Sequence, residues 1–196
     1  SPLTLPEDGR DVFVSGKYAY VTMHDLGGVS AVAKFRIIDI SNPASPSIVS
    51  GSDGVDSSLS GFPNDIFVSG RYVYYLTDNS GACGPSCPNV LFVINVSNPA
   101  SPQIVNTPGT LFLSPNTRKI FVSGRYAYLV SQDSVGGTRV LRILDVTNPA
   151  DPKIVGGETF SGPLIGNDLF VSGKYLYISH QNALNPSQLQ ILDITG

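Results

Sequence analysis

The chain has 196 residues, of which 41% are hydrophobic and 14% charged, with 20 Gly and 15 Pro. Its 12 Lys and Arg stand against 15 Asp and Glu, a net charge of −3, which excludes a nucleic-acid binder that works by neutralising phosphates. The apolar content is that of a chain with a core rather than of a disordered one, and no apolar run nears the roughly 18 residues of a membrane helix.

The chain opens Ser1-Pro2-Leu3-Thr4-Leu5, with no initiator Met and no signal peptide, as expected of a mature form or an excised domain. A short apolar run, Val12 to Val14, reads as strand a. Ser15-Gly16-Lys17 then suits a tight hairpin, because Gly accepts positive φ. Strand b is the run from Tyr18, rich in β-formers and alternating with period two. After a variable stretch, strand c ends at Asp39, and Asn42-Pro43-Ala44-Ser45-Pro46 turns the chain, since Pro cannot continue a central ladder. Ile48-Val49 is strand d.

The whole set then returns. Phe13-Val14-Ser15-Gly16-Lys17-Tyr18 recurs from Phe67, Phe121 and Phe170, at steps of 54, 54 and 49 residues. Ile37-Ile38-Asp39-Ile40-Ser41-Asn42-Pro43 recurs from Val93 and Ile143, and is cut short at Ile191-Leu192-Asp193-Ile194-Thr195-Gly196. Asn95 replaces the motif Asp in the second repeat, so this position reads as a structural residue of the turn. No window has a 3.6-residue period. Four short antiparallel strands per roughly 50 residues make a propeller blade.

Leu141-Arg142-Ile143-Leu144-Asp145-Val146-Thr147-Asn148-Pro149-Ala150-Asp151-Pro152-Lys153-Ile154-Val155-Gly156 resembles the LVIVD repeat of bacterial and archaeal β-propellers. The resemblance covers essentially the whole chain. It implies the fold and, commonly, a secreted or cell-surface setting, but no shared activity and no catalytic residues. The expected architecture is all-β: one domain, residues 1–196, a four-bladed propeller with a four-stranded antiparallel sheet in each blade. Its repeats span about 11–50, 65–105, 119–155 and 168–196 plus 1–5. The fourth repeat lacks strand d, and Pro2 to Leu5 has the pattern to supply it, alternating Leu3 and Leu5 with Thr4. The segment is expected antiparallel beside Leu189 to Ile194, within the chain as ring closure or between chains as strand donation.

The repeat's turns, Ser-Gly-Lys/Arg and Asn-Pro-Ala-Ser-Pro, fall at one end of the blades and hardly vary. The b–c loops (Asp25 to Val32, Asp78 to Asn89, Asp133 to Thr138 and Asn182 to Ser187) and crossovers such as Gly51 to Asn64 fall at the other and vary freely. Binding is expected at the variable end, near Phe62, Phe112 and Phe160, which otherwise plug the space between blades. All nine Tyr fall in strand b and are expected to pack between blades.

Asp11, Asp65 and Asp168 share one position at the start of strand a, where the third repeat has Lys119. If strand a is innermost they ring the channel mouth, as a structural cation site or as turn caps and a salt bridge to Lys119. His24 and His180 end strand b in the first and fourth repeats, as surface residues or as a pair for metal or protons. Asp53-Gly54-Val55-Asp56 is a calcium-like fragment without the rest of an EF-hand loop, and Asn95-Val96-Ser97 is a sequon inside a strand. The only cysteines, in Cys83-Gly84-Pro85-Ser86-Cys87, read as a disulfide-stapled loop, or as free thiols or half a zinc site. The disulfide reading favours an oxidising, extracellular or cell-surface location.

No His-Glu-x-x-His, Gly-x-Ser-x-Gly or phosphate loop is present. No catalytic residue and no cofactor is assigned beyond the cation just described. The leading expectation is a non-catalytic extracellular scaffold for interaction or adhesion, with a protein or glycan partner and no nucleic acid or membrane span. The alternatives are a structural subunit that polymerises into a filament or larger ring through Pro2 to Leu5, and an enzyme with paired carboxylates at the channel mouth.

Overall fold

The computed structural model describes residues 2–25, 32–50, 59, 61–78, 88–108, 111, 113–132, 139–160, 164–182 and 187–195. Among them every regular element is a strand, and none is a helix long and apolar enough to cross a membrane. The first sheet is β1 (Asp8–Ser15), β2 (Tyr18–Asp25), β3 (Val32–Asp39) and β4 (Ser47–Ser50). The second is β5 (Phe62–Ser69), β6 (Tyr72–Asp78), β7 (Val90–Asn95) and β8 (Gln103–Ile104). The third is β9 (Thr117–Ser123), β10 (Tyr126–Gln132), β11 (Arg139–Asp145) and β12 (Lys153–Phe160). The fourth holds β13 (Leu164–Ser172), β14 (Tyr175–Asn182) and β15 (Gln188–Asp193). Every neighbouring pair is antiparallel, in sequence order, as the repeat requires.

The first hairpin of each sheet turns on a glycine in the left-handed region: φ is 58° at Gly16, 57° at Gly70, and 58° at Gly124 and Gly173. Ser15 pairs with Tyr18 across a two-residue loop, and the residue after each glycine has negative φ, the pattern of a type II′ turn whose twist matches the strands. The loop carbonyl of Lys17 then accepts the N–H of Ile40, and those of Arg71, Arg125 and Lys174 accept from Val96, Val146 and Ile194, at 2.8–2.9 Å. The hairpin is thereby tied to the end of the third strand, so the unvarying turns do share one end of each sheet.

The innermost strands β1, β5, β9 and β13 adjoin in that order. The Phe of each Phe-Val-Ser-Gly motif stacks on the next: Phe13–Phe67, Phe67–Phe121 and Phe121–Phe170 have ring centroids 4.8, 4.7 and 5.1 Å apart, within the favourable range for aromatic pairs. Among the described residues three apolar cores lie between sheets. One joins Tyr20, Phe35 and Ile37 to Ile66, Val68 and Tyr75; the others repeat the arrangement at the next two junctions. Strand β6 is therefore buried on both faces, Val73 and Tyr75 on one and Tyr74 and Leu76 on the other. In β14 only one face is covered, with Leu176 and Ile178 buried while Tyr175 is exposed.

The N-terminal segment departs from expectation. Among the described residues the fourth sheet has three strands, and Pro2 to Leu5 of the same chain is not a fourth, so the closure expected within the chain is not made. Leu3 and Leu5 pack instead against Ala19, Val21, Met23 and Ile38 of the first sheet. Arg36 fixes this placement: its guanidinium is buried and donates at 2.9 Å to Glu7 Oε1 and, within its own strand, to the Phe35 carbonyl. A buried cation is held at low cost only beside a counter-charge, and Glu7 arrives at the head of the chain to supply it. Replacing Glu7 with Ala should destabilise the protein by about 3 kcal/mol, read by urea unfolding, with protease cleavage near Leu5 faster than in the parent.

Candidate functional site

Each innermost strand carries one extra residue near its start. The register skips Arg10, Asn64, Arg118 and Asn167, each immediately before the position held by Asp11, Asp65, Lys119 and Asp168. A bulge bends its strand and re-aims the following side chain, here toward the next sheet. Asp11 Oδ2 accepts the Ile66 N–H of the second sheet at 3.2 Å, and Asp65 Oδ2 accepts the Ile120 N–H of the third at 2.7 Å. The other oxygen of Asp11 accepts the N–H of Val12 at 2.9 Å, and Asp168 Oδ1 likewise accepts from Leu169 at 2.9 Å. Asp65 Oδ1 lies 2.8 Å from the Lys119 ammonium.

The four expected residues thus meet at the inner strands. Burial alone would lower the Lys119 pKa, but Asp65, with added attraction from Asp11 and Asp168, outweighs it and raises it above the usual lysine value. Burial pushes the Asp65 carboxyl up to about 7, against the pull of Lys119 and the Ile120 N–H, and with a further push from Asp11. The ammonium stays charged while Asp65 takes up a proton as pH falls through about 7. Of the two readings given for these residues, the salt bridge to Lys119 is present, made by Asp65, and no group of three or more His, Cys, Asp or Glu among the described residues has a metal-holding arrangement.

The other expected residues scatter. His24 is buried at the end of β2, its ring 4.8 Å from that of Phe62 and its Nδ1 without a hydrogen-bond partner among the described residues. Phe62 opens β5 and Phe160 closes β12, so both belong to strands rather than loops; Phe160 packs into the core between the third and fourth sheets. His180 lies on β14 opposite Gly166 and Gln188. Phe112, Cys83, Cys87, the Asp53 to Asp56 fragment and the tips of the b–c loops lie outside the described residues.

The motif carboxylates close turns. Asp39, Asp145 and Asp193 accept the N–H two residues on at 2.8–3.0 Å and pair with Lys17, Arg125 and Lys174. The hydroxyls of Ser41, Thr147 and Thr195 lead the causes that hold all three below the ordinary carboxylate pKa, with the turn N–H groups and the hairpin cations adding to them, and Asp145 lies at about 2. Asn95 makes the same turn bond to Ser97 at 2.9 Å, which is why a neutral residue serves there. Its hairpin partner Arg71 donates to the Tyr72 hydroxyl instead. The basic residue of each hairpin also lies over the ring of the next Tyr, 5.0–5.2 Å from its centroid.

Sequence reasoning missed the four bulges, the Glu7–Arg36 pair and a cleft of about 400 Å³ between the third and fourth sheets, lined by Tyr126, Tyr128, Ile143, Val155, Leu192 and Ile194 among others. A Gly156-Gly157 pair on β12 marks that cleft in the sequence.

The pH response follows from Asp65. Its folded pKa lies above its unfolded one, so the native state holds a proton between about pH 4 and pH 7 that the unfolded chain has released. Its stabilising share is full below about pH 4 and is lost as pH rises through about 7. Urea unfolding at pH 4.5 and pH 7.5 should show Asp65→Asn lacking a drop of about 1–3 kcal/mol that the parent shows, whereas exposed Asp168→Asn should track the parent.

The sequence matches the LVIVD repeat family over residues 7–53, 87–109, 115–157 and 166–195. No curated protein matches it. Among solved structures, an α-L-arabinofuranosidase from Clostridium thermocellum ATCC 27405 is similar with a TM-score of 0.46 and 14% identity, over 94% of this chain and 67% of that one.

Proposed function

The chain belongs to the LVIVD-repeat family, and we propose that it is a non-catalytic interaction scaffold, working outside the cell or at its surface, that holds a protein or glycan partner at the end carrying the b–c loops. The observation that carries this reading is where the repeat spends its charges. Asp11 and Asp65 are engaged by backbone N–H groups of the next sheet, and Lys119 answers the carboxylates around it. At the opposite end, Asp39, Asp145 and Asp193 are engaged by turn N–H groups and hairpin cations. These groups serve blade geometry, which leaves recognition to the loops that differ between repeats.

Immobilised polysaccharides and chromogenic glycosides test the reading on the full chain. Binding without turnover is expected, lost when residues 26–31 or 133–138 are replaced by Gly-Ser segments and kept in Asp168→Ala. Turnover abolished by Asp168→Ala or Asp65→Ala would replace the scaffold reading with an enzyme at the channel mouth.

The extracellular part of the proposal is supported by the sequence spacing of Cys83 and Cys87, with Gly84 and Pro85 between them. Alkylation of the unreduced protein, read by mass spectrometry, should label neither cysteine; labelling of both would remove that support.

A further inference from the structure

The two outermost faces of the four-sheet stack carry exposed apolar residues, along β1 on the first sheet and along β13 and β15 on the fourth. On the first sheet Val12 and Val14 are 58% and 57% exposed; their counterparts Ile66 and Val68, Ile120 and Val122, and Leu169 and Val171 are all buried against a preceding sheet. On the fourth sheet Phe170, Leu189 and Ile191 are 59%, 65% and 54% exposed. The counterparts of Leu189 and Ile191 in the first sheet, Phe35 and Ile37, are buried against the sheet that follows. End repeats of stacked arrays normally turn a polar face outward; these two turn out the same residues that form the internal junctions.

The segment at the head of the chain is a further part of the same junction. Ser1-Pro2-Leu3-Thr4-Leu5 aligns with Ser101-Pro102-Gln103-Ile104-Val105. Ile104 pairs with Ile94 of β7, and Val105 packs in the core formed with Ala127, Leu129 and Leu144 of the third sheet. Leu5 packs against Ala19, Val21 and Ile38, which are the counterparts of those three residues. Leu3 to Leu5 therefore sits on the first sheet where the outer strand of a preceding sheet would sit, while β15 has no strand on its far side among the described residues.

The carboxylates agree. Asp11 and Asp65 each take the N–H of the following sheet, of Ile66 and Ile120. Asp168 holds the same position on the fourth sheet, with Oδ1 on the N–H of its own Leu169 just as Asp11 Oδ1 holds Val12. The position it would reach in a following sheet is the N–H of a Val12.

We propose that the partner completing this junction is a second copy of the chain, docked head to tail. Val12, Val14 and Phe13 of one copy cover Phe170, Leu189 and Ile191 of the other, and residues 2–5 of the first extend the edge of β15. The joint repeats contacts that the chain makes three times within itself, so it needs no new chemistry, and it is heterologous: one face meets a different face. Two such joints between two copies would bring eight blades into one ring, within the range that propellers reach.

Light scattering on Val14→Glu, Leu189→Glu and the parent tests the joint. All three should share one far-UV spectrum, since both substituted residues are exposed in the single chain, and the two variants should share one unfolding midpoint, below that of the parent by what the joint contributes. The parent should run at twice the 20.8 kDa chain mass or a higher multiple, and each variant alone should fall to the mass of one chain. A 1:1 mixture of the two variants should recover a doubled mass, because each retains the face that the other has lost. A monomeric parent, an oligomer that neither variant disturbs, or a mixture that stays monomeric would each overturn the proposal.

Discussion

A four-stranded sheet with apolar residues on both faces cannot stand alone in water, and this constraint organises the molecule. Each sheet gains from cover on two sides, and at the three internal junctions that cover is another repeat. The stacked Phe column and the Asp11 and Asp65 bridges are the inner edge of that arrangement. They set how closely one sheet follows the next. The apolar cores outside them then fill with Tyr, Leu, Ile and Val from the two facing strands.

Charge is used sparingly and locally. At one end the hairpin cation, the motif carboxylate and the Tyr ring form a small unit that closes both turns of a sheet at once. At the other, carboxylates reach across to the neighbouring sheet. Exposed ion pairs of the first kind contribute little individually. The Asp65–Lys119 pair is different because burial makes each partner depend on the other.

What the sequence discloses is what local chemistry decides. Gly16 and its counterparts, the Asn-Pro turns and the period-two runs place the hairpins, because a backbone dihedral or a missing N–H leaves few alternatives. The convergence of Asp11, Asp65, Asp168 and Lys119 is legible too, since equivalent positions in stacked repeats come together. The bulges are not legible: the four positions divide between Arg (Arg10, Arg118) and Asn (Asn64, Asn167) rather than holding one residue type, and an unpaired residue has no periodic signature. Nor is the resting place of Leu3 and Leu5. Their alternation announces a strand-like segment without saying which sheet receives it, and the deciding partner of Glu7 is Arg36, 29 residues away.

Lys119 makes the repeats non-interchangeable. Around the inner strands three blades contribute an acid and one contributes its counter-ion, so the blades are chemically ordered although their backbones are nearly superposable in pattern. A chain assembled from four copies of the second repeat would keep the Ser-Gly-Arg hairpins and the Asn-Pro turns. It would also crowd like charges beside one another with no ammonium between them. Averaging the repeats into a consensus would erase the one departure that neutralises the others, and a shuffled gene would have to carry the third repeat along to remain foldable near neutral pH.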